Sequence, residues 1–297
     1  MSSAVFAFPD GTPQAAVLAD YCGIPLRPID LHRFPDGESL VRVHGSASTA
    51  LLFRSLDHPN DKLIELLLAA SVLRDQGTKR IVLVAPYLAY MRQDKAFHDG
   101  EAVSQQVIGK FLATWFDGVV TVDPHLHRIR KLDEAFGGIP AIAVSASSAL
   151  VQAIADDLDP RTVLVGPDSE SRPWVESIAR PLGLEVLIGE KVRIGDRKVD
   201  LAIPDIASVR DRPAMLVDDM VSSGTTLIAC ARLLQDAGAT GVEAVVTHSL
   251  ASEADLERLA SHGISRLRAS DSTSSPIASI PLARVLGDAV RSHGWLD

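Results

Sequence analysis

Short β-branched and apolar runs recur along the chain and alternate with helical patterns: "ALLFRS" near 50, "RIVLVAP" near 80, "GVVTVDP" near 118, "TVLVGPD" near 162, "AMLVDD" near 214 and "VEAVVTH" near 242. Strands this continuously apolar, separated by helices, are strands buried on both faces of a parallel sheet. The intervening segments "DKLIELLLAASVLRDQG" and "TTLIACARLLQDAG" have helical periodicity, and each stops at a glycine, the usual helix terminator. The pattern predicts an α/β fold with mainly parallel sheets flanked by helices. A chain of 297 residues, 46% of them hydrophobic, is long enough for one large domain or two of moderate size.

Self-similarity favours two. "LRDQGTKRIVLVAP" (Leu73–Pro86) resembles "LQDAGATGVEAVVT" (Leu234–Thr247) at an offset of 161, and "LADYCGIPL" around Gly23 resembles "IARPLGLEV" around Gly183 at an offset of 160. Two separate segments with matching offsets predict two related α/β domains, joined near Ile139–Ser148. The copies differ at one point. Where the second continues "AMLV" with Asp218, Asp219 and then Met-Val-Ser-Ser-Gly-Thr-Thr, the first has Arg54-Ser-Leu-Asp-His-Pro-Asn. A scaffold requirement would appear in both, so the acid pair is functional.

In an open parallel sheet, ligands gather beyond the carboxyl ends of the strands. "AMLV" delivers Asp218 and Asp219 to that edge. Ser222, Ser223, Gly224, Thr225 and Thr226 then offer hydroxyls and unpaired N–H groups at the start of a helix, a cradle for an anion. Carboxylates accept hydrogen bonds from hydroxyls, whereas N–H groups donate to phosphate. A phosphorylated sugar satisfies both. The chain contains no G-x-x-x-x-G-K-[ST] or G-x-G-x-x-G segment, so its phosphate site is of another kind than those two.

The formal charge of −9, from 38 acidic and 29 basic residues, argues against a nucleic-acid partner, which needs a basic face. Two cysteines, Cys22 and Cys230, stand far apart and in no motif. They fit core or near-core thiols in a reducing compartment. The opening "MSSAVFAFPDG" lacks the pattern of a signal peptide, and "LIELLLAASVL" is interrupted by Glu65 and too short to span a bilayer. A soluble, cytoplasmic protein without membrane contact is expected.

"MLVDDMVSSGTT" resembles the phosphoribosyl-pyrophosphate (PRPP) signature of type I phosphoribosyltransferases and of the ribose-phosphate pyrophosphokinase (PRPP synthetase) family. The synthetases have two tandem copies with the motif only in the second, as here, and the resemblance runs from end to end. It implies two tandem type I phosphoribosyltransferase-like domains, 1–143 with ATP and subunit contacts and 144–297 with the PRPP motif, the last helix packing on the first domain. It implies that Asp218 and Asp219 hold the ribose hydroxyls of ribose 5-phosphate and that Ser222–Thr226 hold its phosphate.

"RFPDGE" is similar to a family loop that contacts the adenine of ATP from a neighbouring subunit, which points to Phe34, Asp36 and Glu38. "PYLAYMRQDK" brings Arg92 and Gln93 to ATP. "VDPHLHR" brings His125 to the metal and the ATP phosphates, with Pro124 in place of the usual leucine. "GPDSESRPW" keeps the Mg2+-binding acid as Asp168 but has Ser169, Glu170 and Ser171 where the family has glycines. "GEKVRIGDRK" matches the catalytic loop through Lys191 and Arg193, two cations suited to charge that shifts onto bridging oxygens. Ser222 replaces an aspartate common in the bacterial enzymes. The implied activity is pyrophosphoryl transfer from ATP to ribose 5-phosphate with Mg2+, in a homo-oligomer of at least two copies, a hexamer included. The alternatives are a catalytically silent regulatory subunit, which the missing glycines favour, and a phosphoribosyltransferase acting on a base.

Overall fold

The computed structural model describes residues 2–126, 129, 131–194 and 198–296, with side chains outside 191–200. The chain divides into two units, one of residues 1–145, 272–274 and 281–297, the other of residues 146–271 and 275–280.

In the N-terminal unit the order is β1 (Ser3–Ala7), α1 (Thr12–Cys22), β2 (Leu26–Arg33), β3 (Ser39–Val43), β4 (Thr49–Phe53), α2 (Pro59–Asp75), β5 (Arg80–Ala85), α3 (Ser104–Ala113), β6 (Gly118–Val122) and β7 (Ala141–Val144). Seven strands form one sheet in the order β3-β2-β1-β4-β5-β6-β7. All neighbours are parallel except β2 and β3, which form an antiparallel hairpin. The central strands β1, β4 and β6 are buried along their whole length, as their apolar runs require when helices cover both faces. β2 and β3 are largely exposed, so their polar alternation does not register as a buried strand.

The C-terminal unit runs α4 (Ser147–Ile154), β8 (Val163–Gly166), α5 (Arg172–Leu182), β9 (Glu185–Ile188), β10 (Glu190–Ile194), β11 (Lys198–Ala202), β12 (Pro213–Val221), α6 (Thr225–Asp236), β13 (Gly241–Ser249), α7 (Glu253–Ser261), β14 (Ile264–Ser270) and β15 (Ala278–Ile280). Its sheet order is β9-β8-β12-β13-β14-β15, while among the described residues β10 and β11 pair only with each other. The chain returns with α8 (Ala283–Ser292) to the N-terminal unit. There α8 meets α1, and Trp295 fills the space beside Gly118.

Removing the hairpin strand β3 leaves β2-β1-β4-β5-β6-β7, which matches β9-β8-β12-β13-β14-β15 strand for strand. The helix stops match too. Gly23 after α1 and Gly183 after α5 both take left-handed backbone, φ 70° and 66°, which glycine adopts without steric cost. Ladder register fixes the equivalence residue by residue: Phe53 pairs with Val84, and Val217 with Val245. One step further along each strand stand Arg54 and Asp218. The two-domain α/β architecture expected from the repeat is therefore present.

Candidate active site

β12 has nine residues, against five in β4. Only Ala214–Leu216 pair with β8, but β13 accompanies β12 further, through Asp218↔Val246, Met220↔His248 and Val221↔Ser249. The acid pair therefore stands on paired strand, beyond the end of its other neighbour. Adjacent strand residues point to opposite faces, so the two carboxylates flank the strand tip. The Asp219 N–H donates to Asp218 Oδ1 at 3.0 Å, and Asp219 is buried.

Asp218 is near enough to Cys230 of α6 and to Asp168 after β8 for their charges to interact. Burial first, then the charges of Asp219 and Asp168, push its carboxyl well above the usual range, while the Asp219 N–H acts the other way. Burial, with Asp218 and Asp168 adding to it, raises the Cys230 thiol to about 12. Asp168 and Asp219 thus share one sheet edge with Asp218 closely enough to disfavour its ionisation.

The turn after β12 ends at Gly224, which caps α6 with φ 71° and contributes no side-chain cap. A Cβ there would lie 2.6 Å from Leu259, so the close approach of α7 and the left-handed backbone both demand glycine. Without a capping side chain, the first N–H groups of α6 remain available to an anion. Ser222, Ser223, Thr225 and Thr226 are all exposed around this terminus, and the hydroxyls of Ser223 and Thr225 lie 3.2 Å apart. Arg258 of α7 donates to the Ser223 carbonyl and pairs with Asp255 at 3.1 Å. Sequence reading missed Arg258, although the Ser252-x-x-Asp255 capping box that starts its helix is a legible signal.

After β8, Asp168 Oδ1 accepts from the N–H groups of Glu170 and Ser171 at 3.1 and 3.2 Å, and Ser171 Oγ donates to the Asp168 carbonyl at 2.6 Å. Ser171 is buried against Gly166. Where glycines were expected, the serine hydroxyl closes the turn, and the Glu170 side chain is exposed. Lys191 and Arg193 stand on alternate positions of β10, opposite Leu201 and Val199 of β11. Their side chains lie outside the described residues, as do His127 and Arg128 of the "VDPHLHR" segment.

The remaining sequence candidates belong to the N-terminal unit. Phe34, Asp36 and Glu38 occupy the exposed turn between β2 and β3. That turn is closed by Phe34 N–H to Glu38 O at 2.8 Å and by Glu38 N–H to Asp36 Oδ1 at 3.1 Å. Arg92 and Gln93 lie in the loop after β5, and the Gln93 carbonyl accepts from the N–H of Gln105 at 3.3 Å. His125 follows β6, half-buried. Because β2, β4, β5 and β6 run parallel, all these loops leave one edge of the sheet. Three non-glycine residues with positive φ mark it: His58 (52°), Tyr90 (65°) and Asp123 (33°), one after each of β4, β5 and β6. Strained backbone of this kind concentrates at functional edges.

Among the described residues, no three His, Cys, Asp or Glu side chains converge as a metal cluster would, and no helix is long and apolar enough to cross a membrane.

Two related α/β halves, an acid pair on one of them and an open helix terminus beside it define a protein of the phosphoribosyltransferase type with a duplicated domain. Residues 4–115 match the family model described as the N-terminal domain of ribose phosphate pyrophosphokinase, and residues 134–265 match the phosphoribosyl transferase domain. The ribose-phosphate pyrophosphokinase of Methanopyrus kandleri is 31% identical, covering 97% of this chain and 98% of that protein. That of Methanobrevibacter smithii is 30% identical, covering 93% and 96%. The crystal structure of phosphoribosylpyrophosphate synthetase from Mycobacterium smegmatis superposes with a TM-score of 0.84 at 25% identity, covering 99% of both chains. The chain belongs to the ribose-phosphate pyrophosphokinase family.

Proposed function

We propose that the residues of these two sheet edges carry out the family's reaction as follows. The chain is a ribose-phosphate pyrophosphokinase: the anomeric hydroxyl of ribose 5-phosphate attacks the β-phosphorus of ATP, the bond from the β-phosphorus to the α-phosphate oxygen breaks, and PRPP and AMP result. The observation that carries this reading is the acid pair held on β12 directly before the uncapped start of α6, in the second unit only.

Asp218 and Asp219 accept hydrogen bonds from the ribose hydroxyls. Ser222, Ser223, Gly224, Thr225 and Thr226 hold the 5-phosphate, so the acceptor oxygen is fixed before reaction, a large share of the rate. Lys191 and Arg193 stabilise the charge that builds on the transferring pyrophosphoryl group. Arg92, Gln93 and His125 bind the ATP phosphates and base.

Phe34, Asp36 and Glu38 serve the adenine of another copy of the chain. In support, the β2 and β6 ends are four strand spacings apart, about 19 Å at about 4.8 Å each. The turn is thus set apart along the sheet edge from the loop that carries His125, the candidate for the ATP phosphates. A homo-oligomer follows from this reading, the dimer being its smallest form.

Mg2+ is the proposed cofactor, with Asp168 the candidate contact in the C-terminal unit and His125 the candidate in the N-terminal unit. Crowded carboxylate oxygens without a complete protein cluster suit a hard cation that takes its other ligands from phosphate and water. Mg2+, when bound, neutralises triphosphate charge and polarises the bond that breaks.

The test is AMP release by purified protein with ribose 5-phosphate, ATP and Mg2+. The closed Asp168–Ser171 turn keeps a second reading open, a regulatory chain that binds nucleotide without turnover. ATP binding with no AMP release would select it, and PRPP consumption with a base would select a phosphoribosyltransferase.

A further inference from the structure

The N-terminal unit buries charges that the proposed reaction does not use. Glu65 interrupts the leucine-rich face of α2, and its side chain is fully buried. One of its oxygens, Oε1, accepts from Arg33 Nε at 3.0 Å and from Ser39 Oγ at 3.1 Å. Arg33 and Ser39 face each other as the last ladder pair of β2 and β3. A single carboxylate oxygen therefore grips both stems of the hairpin where the Phe34–Glu38 turn begins and ends.

The other oxygen, Oε2, lies 2.5 Å from Arg54 Nη2. Arg54 is 2% exposed and is held as β4 ends, where its N–H donates to the Val84 carbonyl at 2.9 Å. Its guanidinium stacks on Phe8 at 3.9 Å, and Asp10 approaches the same Nη2 at 3.5 Å. Arg54 Nε and Nη1 make no hydrogen bond among the described residues, so the guanidinium is spent on Glu65 and Asp10. A run of contacts thus leads from the central sheet through Arg54 and Glu65 to the hairpin stem.

Stability alone does not explain this arrangement. A buried ion pair taken as a whole is often no better for stability than apolar residues of its size, its best-attested use being to fix register. β3 is an edge strand whose one strand neighbour among the described residues is β2. β3 also packs on α2, and Glu65 is the point on that helix where one acceptor oxygen meets both stems of the hairpin.

We propose that Glu65 is a positioning residue, which through Arg33 and Ser39 holds the Phe34–Glu38 turn in the geometry that receives nucleotide. The part concerning nucleotide rests on the reading of that turn given under the proposed function. Glu65 acts through its two neighbours and touches no substrate.

The variant Arg33→Ala/Ser39→Ala removes both tethers and leaves the Arg54–Glu65 pair in place. Steady-state kinetics and amide hydrogen exchange are measured on the full chain. The expected result is a rise in KM for ATP of about tenfold, with kcat and KM for ribose 5-phosphate changed by no more than about twofold. Exchange should accelerate at residues 34–39 and stay unchanged in α2 and β4.

Unchanged exchange at the turn overturns the proposal. So does a KM for ATP that stays at the parent value while Phe34→Ala raises it. Acceleration spread through α2 and β4 also overturns it, because Glu65 would then be part of the scaffold only. Faster exchange confined to the turn, with KM for ATP unmoved both here and in Phe34→Ala, supports the tether and removes the nucleotide reading of the turn instead.

Discussion

One residue past the Phe53–Val84 pair stands Arg54, and one residue past the Val217–Val245 pair stands Asp218. The same place in two sheets of the same strand order holds a buried cation in one and a carboxylate in the other. At the offset of 161 that aligns α2 with α6, Glu65 corresponds to Thr226. In the N-terminal unit these two positions pair as opposite charges, Arg54 against Glu65. In the C-terminal unit neither does: Thr226 is exposed at an uncapped helix start, and Asp218 is crowded by like charges. An inward pair makes structure. Positions left unreconciled with each other keep their polar groups available to a ligand.

The largest effect should come from the β10–β11 hairpin that carries Lys191 and Arg193, which among the described residues stands apart from the main sheet, whereas the β2–β3 hairpin of the N-terminal unit is part of its sheet. Lys191→Ala should lower kcat by a factor on the order of 10³ while leaving KM for ribose 5-phosphate nearly unchanged, the mark of a contact made in the transition state. Equal loss in both, in the same kinetic series, would remove that role.

Next, Asp218→Asn with Asp219→Asn should weaken ribose 5-phosphate binding by about 100-fold, since hydrogen bonds to charged groups contribute about 1.5–3 kcal/mol each. Titration calorimetry measures it, and unchanged affinity would break the contrast between the two edges. Gly224→Ala forces a left-handed residue and a Cβ 2.6 Å from Leu259. It should cost about 1–3 kcal/mol of stability in denaturant unfolding, whereas a substitution in the N-terminal unit's hairpin turn should cost less.

The smallest effect sharpens the comparison most. Asp218 has its carboxyl raised in the folded state, so the folded chain binds this proton more readily than the unfolded one. Stability therefore falls as pH rises from the ordinary aspartate range through the raised value. Asp218→Asn alone should raise the Tm of the ligand-free protein by a few degrees at neutral pH, and the gain should vanish below the ordinary aspartate range. A thermal scan across pH that shows a loss at neutral pH would contradict the crowding of carboxylates at this edge.

Much of the fold was legible because its central strands are buried on both faces and so read as unbroken apolar runs: "ALLF", "RIVLVA" and "AMLV" are β4, β5 and the start of β12. The repeat offsets anticipated matching helix stops at Gly23 and Gly183. The hairpin β2–β3 escaped because its strands are largely exposed and polar, and its "RFPDGE" tip reads as any turn. At the site, Asp218 and Asp219 were visible as charge at the end of an oily run. Arg258 was not, because a basic residue on an amphipathic helix has no periodic signature that separates a loop anchor from a solvated face. Ser171 was noted only as the absence of a glycine. Its hydroxyl closes the Asp168 turn through a bond only three residues long, a local turn that a search for glycines passes over.

The four residues by which β12 outruns β4 place the acid pair under the control of a hydrogen-bonded ladder rather than a loop. The conformational freedom that a sugar would otherwise have to remove on arrival has already been surrendered during folding. Affinity for the pentose should then hold nearly constant as loops elsewhere warm and loosen, and disappear only when β12 and β13 themselves separate.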